Sequence, residues 1–242
     1  GRAPSPIPSY SFAGPSGVQP PLQQPAIGLT LDGPYSLPLR GTLAMSFQSD
    51  VFGPNPAVQF STGGRTAPFT IPAGTTQARF ENGGVAIRLQ TGSIAGSIVV
   101  TPSFSTVEGL SLTPVNGPSL TLAVERSAPR LLDLALASRS QSAFTITVTG
   151  YSTTRQVRRL EARLAPKPGE RIANATITVD LEAAGLAWFG TDQSLSFGGL
   201  FSMTVPFALT GEPNQDLVSK IQSVDITVSN EVGQSNSISV GF

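Results

Sequence analysis

Neither histidine nor cysteine occurs anywhere in the 242 residues, and only 12% of the chain is charged. The first absence removes the side chain that most often moves protons near neutral pH. The second removes disulfides, thiolate metal sites and cysteine nucleophiles together. Serine hydroxyls therefore lack a histidine base, and no Ser-x-x-Lys run replaces one, since Ser219 and Lys220 are merely adjacent. No apolar run approaches the roughly 18 residues that a membrane-crossing helix needs. No basic segment followed by an apolar one opens the chain, so a secretion signal is expected to have been removed or to lie upstream. Basic and acidic residues balance at 15 each. A nucleic-acid partner is not expected, because counterion release needs a basic surplus. The chain is expected not to be an enzyme and to need neither cofactor nor metal.

Serine, threonine, glycine, proline and β-branched residues fill the space in short alternating runs. Leu39, Gly41, Leu43, Met45 and Phe47 fall on one face, and Arg40, Thr42, Ala44 and Ser46 on the other. Phe144, Ile146 and Val148 alternate with Thr145, Thr147 and Thr149, and Phe201, Met203, Val205, Phe207 and Leu209 with Ser202, Thr204, Pro206 and Ala208. The pattern returns in Val85/Ile87/Leu89, Leu120/Leu122/Val124, Ile177/Val179/Leu181, Val224/Ile226/Val228 and Ile238/Val240/Phe242. Period two buries one face of a sheet and wets the other. Gly63-Gly64 and Asn82-Gly83-Gly84 supply hairpin chemistry between such runs. The spacing predicts an all-β chain of two tandem immunoglobulin-like antiparallel β-sandwiches. A Pro-rich arm covers residues 1–8, the first sandwich 9–126 and the second 127–242, with the joint at Arg126 to Pro129.

Two segments resist simple assignment. VRRLEARL has helical spacing through Val157, Leu160 and Leu164, but a strand with Leu160, Ala162 and Leu164 inward suits an all-β chain. LEAAGLAWFG, around Trp188, reads equally as a short helical crossover or a strand-end loop. At the other end of the chain, SYSFAG is read as the first strand, continued by IGLTL after the QPPLQQP bend.

The segments SFAGPSGVQPPLQQPAIGLTL and VFGPNPAVQFSTGGRTAPFTIPAGTTQARF resemble Ig-like modules of secreted proteins from GC-rich environmental bacteria such as acidobacteria. TITVTGYSTTRQV, FSMTVPFALTGE and IQSVDITVSNEVGQSNSISV resemble the partner module that closes such proteins. The use of Arg over Lys, thirteen to two, fits a GC-rich genome. FTIPAGTTQARF is also similar to Calx-β sandwiches, themselves related in shape to fibronectin III modules. The acidic calcium ligands of that family are unmatched, with Glu81 alone beside Asn82 and Gly83. The resemblance implies architecture and an extracellular or cell-surface location, and no activity.

Candidate sites are few. Asp180/Glu182 and Glu161/Glu170 are carboxylate pairs without the defined cleft separation that glycoside hydrolysis requires. Arg155, Arg158, Arg159 and Arg163, continued by Lys167 and Arg171, form the densest charge cluster. It reads either as a patch for an anionic polysaccharide or as an edge strand whose charges prevent aggregation. Trp188 is either a sugar-stacking platform or a core plug. Tyr10 and Phe12 follow a proline-rich arm that a free terminus would leave disordered. They are expected either to dock on a neighbouring copy by strand addition or to form the first strand of their own domain. The functional expectation is a self-associating subunit of a bacterial surface filament or layer. The alternative is a spacer or adhesion module that binds carbohydrate or protein.

Overall fold

In the computed structural model, which describes residues 4–212 and 214–242, the chain divides into two compact units. The first runs up to Asp50 and resumes over Asn55–Glu125, while the second comprises Val51–Pro54 and Arg126–Phe242. Each has its own buried apolar cluster. Residues 1–3 of the expected arm lie outside the described residues.

The strands of the first unit are β1 (Tyr10–Ala13), β2 (Gly17–Val18), β3 (Ala26–Leu31), β4 (Leu39–Ser49), β5 (Thr66–Ile71), β6 (Arg79–Phe80), β7 (Ile87–Arg88), β8 (Gly96–Thr106) and β9 (Leu120–Val124). They form a three-stranded sheet, β1-β3-β7, and a six-stranded sheet, β2-β9-β8-β4-β5-β6. All pairings are antiparallel except β2 with β9, which is parallel. Alternation drives the packing: Leu39, Leu43 and Met45 of β4 and Phe104 of β8 are buried against Leu29 and Leu31 of β3. β3 does not extend β1 but folds back on it, pairing Tyr10 with Leu31 and Phe12 with Leu29. The Gly63-Gly64 turn forms with both residues at positive φ, yet the run before it contributes only a bridge from Phe60 to Leu89. Val85 is exposed although Ile87 and Leu89 are buried, so that alternation begins two residues later than the sequence suggests.

The second unit contains β10 (Arg130–Arg139), β11 (Ala143–Tyr151), β12 (Arg159–Pro166), β13 (Thr176–Asp180), α1 (Glu182–Phe189), α2 (Asp192–Leu195), β14 (Leu200–Ala208), β15 (Ile221–Ser229) and β16 (Ile238–Gly241). Its sheets are β10-β11-β14 and β13-β12-β15-β16. In chain order these are strands one, two and five against four, three, six and seven. This is the immunoglobulin-like arrangement with the fourth strand moved to the second sheet. The chain is thus all-β, two sandwiches in tandem, as the alternation predicts. Phe144, Ile146, Val148, Phe201, Val205 and Phe207 are buried, while Ser202, Thr204 and Pro206 face solvent. VRRLEARL resolves as strand β12, with Leu160, Ala162 and Leu164 buried. LEAAGLAWFG resolves as helix α1, whose first turn carries Glu182, with the Asp180 carboxylate accepting the Glu182 N–H at 2.9 Å. Gly185 lets that helix close on Val157, because a Cβ there would lie 2.7 Å from the Val157 carbonyl oxygen.

Candidate ligand-binding cleft

The residues singled out in the sequence go to different places. Tyr10 is buried in the first unit, where its ring packs 5.1 Å from that of Phe104 and its hydroxyl donates to the Pro118 carbonyl at 3.0 Å. Burial pushes its phenol above the ordinary tyrosine pKa. Phe12 is half-buried and meets Tyr10 edge-on at 6.3 Å. The described part of the arm is held by the same unit: Ile7 is buried and the Tyr35 hydroxyl donates to the Ser5 carbonyl at 2.5 Å. The strap reading is corrected accordingly. Of the two alternatives the structure takes the second: Tyr10 and Phe12 belong to the first strand of their own sandwich, with β3 supplying their backbone partners.

The arginine cluster is corrected as well. Arg155 points inward, with its main chain at φ +52° and its residue only 6% exposed. Its guanidinium donates to the carbonyls of Phe189 at 2.6 Å, Gly198 at 2.5 Å and Ser194 at 3.4 Å, and to the Ser194 hydroxyl at 2.8 Å. It also lies 5.3 Å from the centroid of the Phe189 ring. A cation placed on the Phe189 carbonyl sits at the negative end of α1. Burial lowers the pKa of this group, and the four acceptors are what hold its charge indoors. Arg155 therefore fixes the α1–α2 connection and is withdrawn from any surface patch.

Two of the remaining arginines form ion pairs. Arg158 lies 3.6 Å from Glu231, and the Arg163 Nε donates to Glu161 at 2.7 Å. In the ladder Arg159 stands opposite Asp180 and Arg163 opposite Asp225, positions that place an anion one strand from each cation. Nor is β12 an edge, since it runs between β13 and β15, so its charges do not protect an open ladder. Trp188 is half-buried against the second core and its indole N–H donates to the Leu200 carbonyl at 3.2 Å, tying α1 to the start of β14.

A site that sequence proximity does not signal lies on the outer face of the six-stranded sheet. Register sets Ser105, Arg40, Thr70 and Arg79 side by side on β8, β4, β5 and β6, with Ser111 bridging to Ser105 at the far end. One row along stand Ser103, Thr42 and Pro68. With Glu81, Gly109 and Thr113 at the rim, they line an open cleft of about 580 Å³. Adjacent strands run about 4.8 Å apart, so the Arg40 and Arg79 main chains are separated by roughly 10 Å. Among the described residues neither arginine makes an ion pair, Glu81 makes none, and the Thr70 hydroxyl between the arginines has no partner.

The floor beneath this face is aromatic and closely packed. Phe69, Phe80 and Phe104 are all buried, and the rings of Phe69 and Phe104 meet at 5.5 Å, 75° apart. Gly41 is required there, because a Cβ would collide with the Phe69 ring and the Ser103 carbonyl. The outward parity of Arg40 and Arg79 was legible beside inward Leu39 and Phe80. Which strands are neighbours was not.

No group of three or more His, Cys, Asp or Glu side chains among the described residues is arranged to hold a metal ion. No family model matches the chain, and no curated protein is similar to it. Solved structures with similar strand arrangements include a two-domain fibronectin type III segment of chicken tenascin, at 7% identity and a TM-score of 0.36, covering 98% of this chain and 99% of that one. A Salmonella enterica SafA pilin in complex with the SafB chaperone gives 10% identity and a TM-score of 0.33, covering 98% of each chain. A non-cellulosomal cohesin from the archaeon Archaeoglobus fulgidus gives 10% identity and a TM-score of 0.29, covering 48% of this chain and 91% of that one. At these values the fold rests on this chain's own sheets, and function on its own residues.

Proposed function

We propose that this chain is a non-enzymatic module of a bacterial extracellular surface, a pair of immunoglobulin-like sandwiches that serves as a spacer with adhesive faces. The observation that carries the reading is that the described part of the N-terminal arm and strand β1 are used up within the first sandwich. The outer sheet faces, which are polar, remain for outside contacts. The lack of histidine and cysteine supports a role without chemistry. No helix among the described residues is long and apolar enough to cross a membrane. Sedimentation velocity with negative-stain microscopy tests the reading. A monomer at every concentration is the expected result, and fibres would overturn it.

A second reading, the filament subunit, is favoured by one feature of the second unit. β14 ends its sheet, so its outer edge is unpaired. A small apolar recess lined by Val157, Leu181, Trp188, Phe201, Met203 and Val205 runs beside it. A strand from a second copy would find both backbone partners and a side-chain pocket there. Thr204→Pro removes an N–H from the edge strand and separates the readings. Fibres that Thr204→Pro abolishes would establish strand addition at β14.

A further inference from the structure

We propose that the cleft on the outer face of the first sandwich binds a linear acidic polysaccharide, one in which carboxylated sugars alternate with neutral ones. Two arginines without an internal carboxylate stand on one polar surface, their main chains roughly 10 Å apart across β4, β5 and β6. A guanidinium is a planar fork that matches a carboxylate, and two of them carried two strands apart favour charge at intervals over charge density. Between and beside them lie Thr70, Ser105 and Ser111, short hydroxyls suited to hydrogen bonds with sugar hydroxyls. Glu81 at the rim accepts from such hydroxyls and repels polymers that carry an anion on every residue.

The competing macromolecules fit less well. An extended peptide gains its affinity by pairing backbone with a sheet edge. This cleft lies on a face instead: β4 sits between β8 and β5 and β5 between β4 and β6, and only the two-residue β6 ends the sheet. An acidic peptide lying there would leave its amides without partners. A single-stranded nucleic acid needs exposed aromatic platforms, and Phe69, Phe80 and Phe104 are buried beneath the sheet. A saccharide brings no backbone amide to satisfy. The aromatic layer supplies rigidity instead, so the guanidiniums are carried on strands that need not rearrange when a ligand arrives.

This inference adds a ligand to the module reading, and its failure is separable from that reading's failure, because a monomer that binds nothing loses only the ligand. Affinity electrophoresis of the full chain through gels containing hyaluronate, dextran, dextran sulfate or poly-glutamate provides the test. Retardation by hyaluronate but not by dextran is expected, weakening as salt rises. Arg40→Gln and Arg79→Gln should each weaken retardation at least tenfold while leaving the melting curve unchanged, since both side chains are exposed. Arg159→Gln together with Arg163→Gln should leave it intact. Equal retardation of the wild type and both cleft variants would overturn the proposal. So would the absence of retardation by hyaluronate, or stronger retardation by poly-glutamate or dextran sulfate.

Discussion

Both units carry arginines on the solvent face of a sheet, and the two faces resolve their charge in opposite ways. In the second unit, Arg159 and Arg163 of β12 sit opposite Asp180 on β13 and Asp225 on β15, with Glu161 between them in sequence. Each cation has an anion one strand away, which keeps the local field small. In the first unit, the row through Arg40 and Arg79 has serines and threonines as cross-strand neighbours. Its only acid is Glu81, which makes no ion pair among the described residues. A denser cluster in the sequence is therefore the quieter surface in three dimensions. Two arginines far apart along the chain make the one with unmet charge. The lesson is that a sheet face is composed across strands, so its electrostatics follow strand order rather than sequence proximity.

The largest expected effect concerns the arginine that leaves the surface altogether. Arg155→Met removes a buried cation and strands the carbonyls of Phe189, Ser194 and Gly198. The second unit should lose about 3 kcal/mol, since an unsatisfied buried acceptor costs about 1–3 kcal/mol, read as an early calorimetric transition while the first unit melts as before. A loss below about 1 kcal/mol would mean that the guanidinium is not what holds α1 and α2. Val205→Asp should be comparably severe, because it places an unpaired charge among Phe144, Phe201 and Phe207. Thr204→Asp, one residue away on the solvent face, should be nearly neutral. Equal effects at both positions would break the register assigned to β14.

Smaller changes sharpen the contrast between the two faces. Glu161→Gln with Asp225→Asn removes the anions beside Arg163. Stability should shift by no more than about 1 kcal/mol, since exposed ion pairs contribute little. The variant should nevertheless gain weak retention by hyaluronate, because the second face would then carry an unmatched guanidinium at Arg163. Absence of any gain would show that unmatched charge alone does not make such a face adhesive. The smallest effect is alkaline. Burial raises the Tyr10 pKa, so the folded state holds this proton more tightly than the unfolded state. Its contribution is complete below about pH 10 and falls away as pH rises through the raised folded value. Tyr10→Phe should flatten that part of the first unit's alkaline loss in pH-dependent melts, at a cost of about 1 kcal/mol near neutrality for the lost bond to Pro118.

The period-two runs were the legible part of the fold, because alternation is a local consequence of the pleat. Leu160, Ala162 and Leu164 and the β14 series are buried as the pattern requires. What the pattern does not carry is partnership. Tyr10 and Phe12 alternate whether β3 or another copy supplies the ladder, and only the return of the chain after the QPPLQQP bend decides it. Arg155 sits in a cluster of surface arginines, yet the turn from Ser152, closed by the Arg155 N–H to the Ser152 carbonyl at 3.0 Å, sends its side chain inward. The cleft was half legible: Arg40 and Arg79 each flank an inward residue, and their alignment through Thr70 needed the strand order.

The central claim is that acidic glycan reaches the first face and not the second. Side-chain Nε–Hε NMR of the full chain, titrated with hyaluronate oligosaccharides, reads every arginine at once. The account expects the Arg40 and Arg79 signals to shift together and saturate, with Arg158, Arg159 and Arg163 unmoved. Shifts at Arg159 and Arg163, or small drifts across all arginines without saturation, would contradict it.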